Sequence, residues 1–471
     1  MTKLNIYKNN INKNRAKYNI IKIFNNNLVE NLFKLWYNYY METIVALATP
    51  AGNSGVAVIR ISGEKSKEIL QNVIKEDLDF KPRYMYLKDI YCKGIVDNAL
   101  VVFFKAPNSF TGEDIAEIQS HGGYYLAQKI IEQCIEYGAK MATPGEFSKR
   151  AFINGKLSID QAEGIMDIIN AESELQAKQA SNLLQGSLKE KIVKYQNILT
   201  DVIAELEAKI DYPEYEYTAE ETKDLKTKLT NLQSSLKNLI KDSKTGLKIK
   251  NGVNVAIVGA PNVGKSSILN ALTNSDKAIV TNIAGTTRDV VEASYEFNGI
   301  IFKLFDTAGI HESNDIVEQI GISRAKQVLE DADIVLLVSD RDNVNSLVTN
   351  KPNIKIFNKS DLFVPSNKEE YLCVSAQTGE NIQILKEKIF ELALGNKTVG
   401  YGFCLTNIRH IDCINKALIH INNVIDIFDL TTVDIISSEL KSAWLDLGEV
   451  SGTTSSEAII DKIFSKFCLG K

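Results

Sequence analysis

Apolar residues recur along the chain with three rhythms. Thr43 to Ala48 and Gly55 to Ile61 read as strands around a turn built on Pro50, Gly52 and Asn53. Ala99 to Phe104 reads as another strand. Phe110-Thr111-Gly112-Glu113-Asp114 leads into Ile115 to Ile118, His121-Gly122-Gly123 lies beyond, and Leu126 to Tyr137 reads as a helix. Residues 41–157 are therefore expected to form a small α+β domain. From 158 to 248 the period lengthens. Leu188, Ile192, Tyr195, Leu199, Val202, Leu206 and Ile210 advance by threes and fours along one face of a helix that ends before Tyr212-Pro213. Leu225, Leu229, Leu232, Leu236 and Ile240 repeat that pattern. Within 249–397 the rhythm changes again, with short runs that are apolar throughout: Val253 to Val258, Ile334 to Val338 and Ile354 to Phe357. Such runs suit central strands of a parallel sheet. Ile411 to Phe428 and Val433 to Leu447 return to the helical period. Neither helical stretch need bury its stripe alone. The economical arrangement is one helical domain assembled from 158–248 and 398–471, with 249–397 inserted between them.

Residues 1–40 follow none of these rhythms. They are rich in Asn, Lys, Ile and Tyr, with one acidic residue, Glu30, one Arg and no Ser. Organellar targeting segments are usually rich in Arg and Ser, which argues against that role. A disordered extension, or upstream sequence read in frame before a true start at Met41, accounts for the composition more simply, and the second is the expectation here.

Bulk composition narrows the remainder. A chain of 471 residues that is 44 % apolar and 24 % charged is expected to fold as about three globular domains. The net charge of −5 argues against broad electrostatic capture of nucleic acid, without excluding a local basic site. Six scattered cysteines with no CxxC pair suit reduced thiols of a cytoplasmic protein better than disulfides or zinc. No apolar run of the length that crosses a membrane is present in the sequence.

The candidate chemistry centres on Gly259-Ala260-Pro261-Asn262-Val263-Gly264-Lys265-Ser266-Ser267, set between an apolar strand and a helix. Backbone N–H groups in such a loop point at an anion, the helix N-terminus adds positive potential, and Lys265 reaches the terminal phosphates. Ser266 is placed to ligate magnesium. Further motifs follow in order. Gly285-Thr286-Thr287-Arg288-Asp289 offers Thr287 to magnesium and the γ-phosphate. Val290 to Phe297 and Ile300 to Phe305 flank the hairpin turn Asn298-Gly299, which delivers Asp306-Thr307-Ala308-Gly309 beside the metal and γ-phosphate. In Asn358-Lys359-Ser360-Asp361 the carboxylate of Asp361 can accept two hydrogen bonds from guanine that adenine cannot offer. Cys373-Val374-Ser375-Ala376 supplies backbone donors to the guanine oxygen. These motifs identify a GTP-binding domain, an inserted Ras-like α/β P-loop G domain.

Outside these motifs the chain resembles the MnmE (TrmE) family of tRNA modification GTPases. The resemblance rests on Ala48-Thr49-Pro50, Arg60-Ile61-Ser62-Gly63, Phe110 to Asp114, Pro144-Gly145-Glu146-Phe147, Ala151 to Leu157, Asp160-Gln161-Ala162-Glu163 and the terminal Phe467-Cys468-Leu469-Gly470-Lys471. It implies a folate-binding N-terminal domain, a split helical domain and an inserted G domain. It further implies dimerisation through the N-terminal domain and G domains that meet across the dimer. An MnmG-type FAD protein would join it in a heterotetramer, adding an aminomethyl or carboxymethylaminomethyl group to the wobble uridine of certain tRNAs. By the same resemblance Arg60, Glu117, Lys156 and Lys471 would contact a formyl-tetrahydrofolate. Cys468 is either a reactive thiol near that folate or a small apolar plug. Two departures from the family pattern are Asn53, where Arg is common, and His311, where a basic residue is common. The competing function is a G-domain switch in ribosome assembly. Such factors usually carry an RNA-binding domain with a basic face, a composition not found here.

Hydrolysis requires something more. The position after Gly309, where Ras-like switches carry a glutamine to orient water, is Ile310. The side-chain carbonyl of Asn262 can help hold a monovalent cation near the phosphates, completed by backbone carbonyls of Thr281 and Ile283 and by Thr286. In the resembled family that ion is potassium. Glu318 matches the family's carboxylate that orients or activates water, or is a helix N-terminal acid favoured by the dipole.

Overall fold

The computed structural model describes residues 42–212, 218–273, 293–306, 327–341, 350–367, 369–395 and 403–471. They divide into two compact units, one running to Leu157 and regaining Ser456–Lys471, the other Ser158–Ser455.

The first unit is built on a six-stranded sheet, β1 (Ile44–Leu47), β2 (Ser54–Ser62), β3 (Met85–Cys92), β4 (Ile95–Phe104), β5 (Ile115–Gly122) and β6 (Lys140–Met141). Their order is β3-β4-β5-β2-β1-β6, antiparallel except for the β1–β6 pair. Helices Ser66–Ile74 and Tyr124–Glu136 cover one face, and their apolar stripes join Ile59, Ile61, Val101, Phe103 and Ile118 in a common core. Strand alternation then sends Arg60, between Ile59 and Ile61, and Glu117, between Ala116 and Ile118, to the opposite face. They stand directly across from each other in the β2–β5 register.

The C-terminal tail corrects an expectation. Periodicity places residues 398–471 whole in the helical domain, yet helix Glu457–Phe464 and the residues after it belong to the first unit. Phe464 is buried against Phe152 and Phe467, with ring centroids 6.1 and 5.1 Å away. Gly145, at φ 72°, carries no Cβ to collide with the Phe464 carbonyl. Eight helical residues contain too few turns for their period to reveal which surface covers them.

The second unit combines a helical bundle with a second sheet. Helices Ser187–Asp211, Ala219–Lys241, Ile408–Ile427 and Val433–Ser451 bury one shared core. It joins Leu188, Leu199 and Leu206 to Leu225, Leu229 and Leu236, and both groups to Ile414, Ile421, Leu440 and Leu447. The helical domain is thus assembled from segments on either side of the insertion. Of the expected stripe, Tyr195 and Ile240 pack at the edge of this core, and Ile210 in the last turn is exposed. A largely buried ionic cluster also joins the two segments. Glu163, on helix Ile159–Ile169, takes Arg409 in a fork of 2.8 and 3.1 Å and His410 Nε2 at 2.7 Å. Burial alone would raise the Glu163 carboxyl, but His410 and Arg409 outweigh it and hold the group well below the usual carboxylate range.

The second sheet holds β7 (Val253–Gly259), β8 (Ala293–Phe297), β9 (Ile300–Asp306), β10 (Ile334–Ser339), β11 (Asn353–Phe357) and β12 (Leu372–Cys373). The order is β12-β11-β10-β7-β9-β8, with only β8–β9 antiparallel. The apolar runs are central because both faces are covered. Val255 and Ile257 face helices Lys265–Thr273 and Ile382–Leu394, while Ala256 and Val258 join the smaller cluster on the other side.

Candidate guanine-nucleotide site and a second site in the first unit

The carboxyl ends of the parallel strands β7, β10 and β11 converge on one crevice, the position at which doubly wound sheets bind ligands. The loop leaving β7 turns through Asn262 and Gly264, both left-handed at φ 64° and 93°. Glycine is required at 264 because a Cβ there would collide with the Asn358 side-chain nitrogen. That nitrogen instead donates to the Val263 carbonyl at 2.9 Å, and Asn358 Oδ1 accepts from the Ala376 N–H at 3.2 Å. One buried asparagine therefore fixes the phosphate loop and the Ser375-Ala376 turn together. Ser375 is itself buried, and its hydroxyl accepts from the Thr378 N–H at 3.2 Å.

The Lys265 ammonium lies on the loop's own carbonyls, 2.9 Å from Gly259 O and 3.1 Å from Ala260 O. It is held at the mouth of the loop, where Gly264 N–H and the N-terminus of helix Lys265–Thr273 also lie. Ser266 Oγ donates to Asp306 Oδ2 at 3.1 Å, and Ser267 is exposed in the same helical turn. The other Asp306 oxygen is buried and has no hydrogen-bond partner among the described residues. A hydroxyl and a carboxylate with an uncommitted oxygen form a hard-oxygen pair that fits magnesium, which Ser266 would ligate directly and Asp306 would support. When bound, magnesium would neutralise charge on the phosphates. Across the crevice Lys359 Nζ donates to Asn262 O at 2.9 Å and pairs with Asp340 at 2.6 Å, while Asp361 is exposed to receive a base. The sequence gives no sign of Asp340's role, because nothing in its spacing from Lys359 shows that β10 and β11 are neighbours.

Thr281, Ile283, Thr286, Thr287, Thr307, Ala308, Gly309, Ile310, His311 and Glu318 lie outside the described residues. Of the candidate potassium ligands, Asn262 alone is described.

In the first unit, Arg60 Nε donates to Glu117 Oε1 at 2.8 Å, and Arg60 Nη1 donates to Gly470 O at 3.4 Å. The guanidinium lies 5.4 Å from the Phe110 ring centre and 5.8 Å from that of Phe147. Gly470, at φ 88°, approaches β1 so closely that a Cβ would meet the Leu47 carbonyl. Burial, then the charge of Arg60, pull the Lys471 ammonium below its ordinary value. Three of the four expected contacts, Arg60, Glu117 and Lys471, are thus neighbours. Lys156 lies at the Phe110–Gly112 turn, where its ammonium donates to Pro107 O at 3.1 Å. Cations beside a carboxylate and two aromatic rings fit a cofactor with an anionic tail and a flat N–H-bearing ring. Cys468 is exposed, so it is not an apolar plug; its carbonyl accepts from the Gly145 and Lys471 N–H groups at 3.3 Å.

A phosphate loop after a central parallel strand, a metal-side carboxylate and an asparagine-buttressed base site define a P-loop GTPase domain. Residues 43–156 match the family description "GTP-binding protein TrmE N-terminus", and residues 159–468 match "MnmE helical domain". The chain is 38 % identical over 452 residues to the tRNA modification GTPase MnmE of Caldicellulosiruptor saccharolyticus, covering 91 % of this chain and 99 % of that protein. It is 38 % identical over 453 residues to the same-named protein of Lactobacillus johnsonii, covering 91 % and 98 %. Among solved structures, the G domain of the T. maritima FeoB iron transporter is similar at 31 % identity over 30 % of this chain and 98 % of that one, with a TM-score of 0.23. The chain belongs to the MnmE (TrmE) family of tRNA modification GTPases. Among the described residues no helix is long and apolar enough to cross a membrane.

Proposed function

We propose that this protein is a potassium-activated GTPase that modifies the wobble uridine of certain tRNAs together with an MnmG-type FAD protein, adding an aminomethyl or carboxymethylaminomethyl group. The observation that carries the reading is the joined phosphate and base site of Lys265, Ser266, Asp306 and Asn358, in a chain of this family. Lys265 binds the terminal phosphates, Ser266 and Thr287 hold magnesium, and Asp361 reads guanine. Asn262 with Thr281, Ile283 and Thr286 holds potassium, and Glu318 directs the attacking water. In the first unit Arg60, Glu117, Lys156 and Lys471 hold a formyl-tetrahydrofolate or related one-carbon folate, with Cys468 at its edge. The protein works in the cytoplasm as a homodimer joined through its N-terminal domain, in a heterotetramer with the flavoprotein.

The test is complementation of a bacterial strain deleted for its own MnmE, with tRNA nucleosides analysed by mass spectrometry. This chain should restore the wobble modification and a Lys265→Ala variant should not. An unmodified wobble uridine despite stable expression of the chain would overturn the proposal.

A further inference from the structure

We propose that Asp340 is a positioning residue for guanine-nucleotide binding, acting through Lys359. This rests on the reading of Asn358-Lys359-Ser360-Asp361 as the base site. Asp340 is the first residue after β10, and three hydrogen bonds of its neighbours aim it. Ser339 Oγ donates to Arg341 O at 2.6 Å and accepts from Arg341 N at 3.2 Å, closing a tight turn around residue 340. The Asn358 N–H donates to Ser339 O at 2.8 Å, tying the same turn to the start of the base motif. The carboxylate is 18 % exposed and its Oδ2 lies 2.6 Å from Lys359 Nζ. Among the described residues, Arg341 Nε is the other cation within reach, at 4.0 Å from Oδ1, and its side chain is 89 % exposed.

A lysine stem has four rotatable bonds and no preferred direction without a partner. Here the ammonium is fixed between the Asp340 carboxylate and the Asn262 carbonyl. The stem is thereby stretched from the base motif to the phosphate loop. Both residues that it links hold left-handed backbone, Lys359 at φ 65° and Asn262 at φ 64°. Such a conformation is unfavourable for a non-glycine residue and persists only where its surroundings enforce it. Asp340 supplies the charge that fixes the bridge. A nucleotide consequently meets a wall already in place rather than one it must order, which is where preorganisation raises affinity.

The test is a double-mutant cycle on GDP affinity, read by titration of the full chain in magnesium buffer. Asp340→Asn, isosteric but uncharged, should weaken binding about ten-fold. Lys359→Met should weaken it at least as much. Adding Asp340→Asn to Lys359→Met should change almost nothing further, since the group through which Asp340 acts is gone. Multiplying losses in the double variant, or an unaltered affinity for Asp340→Asn, would overturn the proposal. An unaltered affinity for Lys359→Met would instead overturn the base-site reading beneath it. The cycle is run in parallel with Asp340→Ser, with nucleotide-free thermal unfolding of each variant, so that a folding defect in one substitution does not decide the outcome.

Discussion

Ser173 Oγ donates to the Gly299 carbonyl at 2.7 Å, joining the N-cap of helix Glu174–Leu184 to the turn between β8 and β9. The hairpin that this turn closes ends at Asp306, and Gln176 adds a second tie by donating to Lys250 O at 3.0 Å, just before β7. The helical segment and the nucleotide domain thus meet at strands that carry the phosphate loop and the metal-side carboxylate.

Gly299 has a steric as well as a conformational reason to be glycine. At φ 82° its Cβ position lies 2.5 Å from Leu175 Cδ1. Gly299→Ala should lower stability by about 1–3 kcal/mol, the range for overpacking. In a Leu175→Ala background, adding Gly299→Ala should lower the melting temperature by less than it does in the parent chain, the remainder being the cost of a side chain at φ 82°. A fully stable single variant would mean that the helix yields without cost.

The Glu163–Arg409–His410 cluster predicts a pH dependence. A carboxyl held below its unfolded value contributes stability that is present above that value, about 4.3 for Glu, and is lost as pH falls toward the folded value. Melting temperature should therefore decline from about pH 4 downward, and Glu163→Gln should flatten that decline. At neutral pH, Arg409→Met should cost about 1.5–3 kcal/mol, since the charge-assisted fork is lost while His410 still pairs the carboxylate. An acid limb unchanged by Glu163→Gln would contradict the assignment.

The proposed function gives Asp361 the choice of base. Asp361→Asn should lose about 1.5–3 kcal/mol of GTP affinity, because charge-assisted hydrogen bonds to the guanine N–H groups are removed. Affinity should shift toward xanthine nucleotides, which present a carbonyl where guanine has an amine. Equal GTP affinity for the variant and the parent chain would reject the role.

For the first unit, calorimetry with 5-formyl-tetrahydrofolate should show weaker binding for both Arg60→Ala and Glu117→Ala. Because the Lys471 ammonium is held below its ordinary value, it loses its proton earlier as pH rises. Affinity for the anionic tail should accordingly fall at a lower pH than an ordinary lysine would give, and Lys471→Arg should remove that fall. Parent-like binding by both alanine variants would sink the folate placement.

Turnover should be much faster in potassium than in sodium at equal ionic strength, and Asn262→Ala should abolish the difference. Glu318→Ala should bind GTP and retain potassium-dependent pairing while losing most turnover. Equal rates in the two salts would remove the cation from the mechanism.

What the sequence by itself determined is local. Apolar runs marked β7, β10 and β11, and the three-four period marked the four long helices, because each pattern records the faces its own segment buries. The phosphate loop was legible because its glycine, lysine and serine act within one turn of chain. Two further elements were faint. β3 alternates Met85 and Leu87, both exposed, with Tyr86 and Lys88, and helix Ser66–Ile74 is only nine residues long. Contacts between distant segments were decided by the tertiary structure. Ile59 and Ile61 imply that Arg60 turns away from the core, but only the β2–β5 register places Glu117 opposite it. Similarly, only the order of β10 and β11 sets Asp340 against Lys359, and only packing around Phe464 sends the tail beside Arg60. A periodicity states that a face will be buried, while its partner depends on which distant surface is complementary. That information belongs to no single stretch of chain.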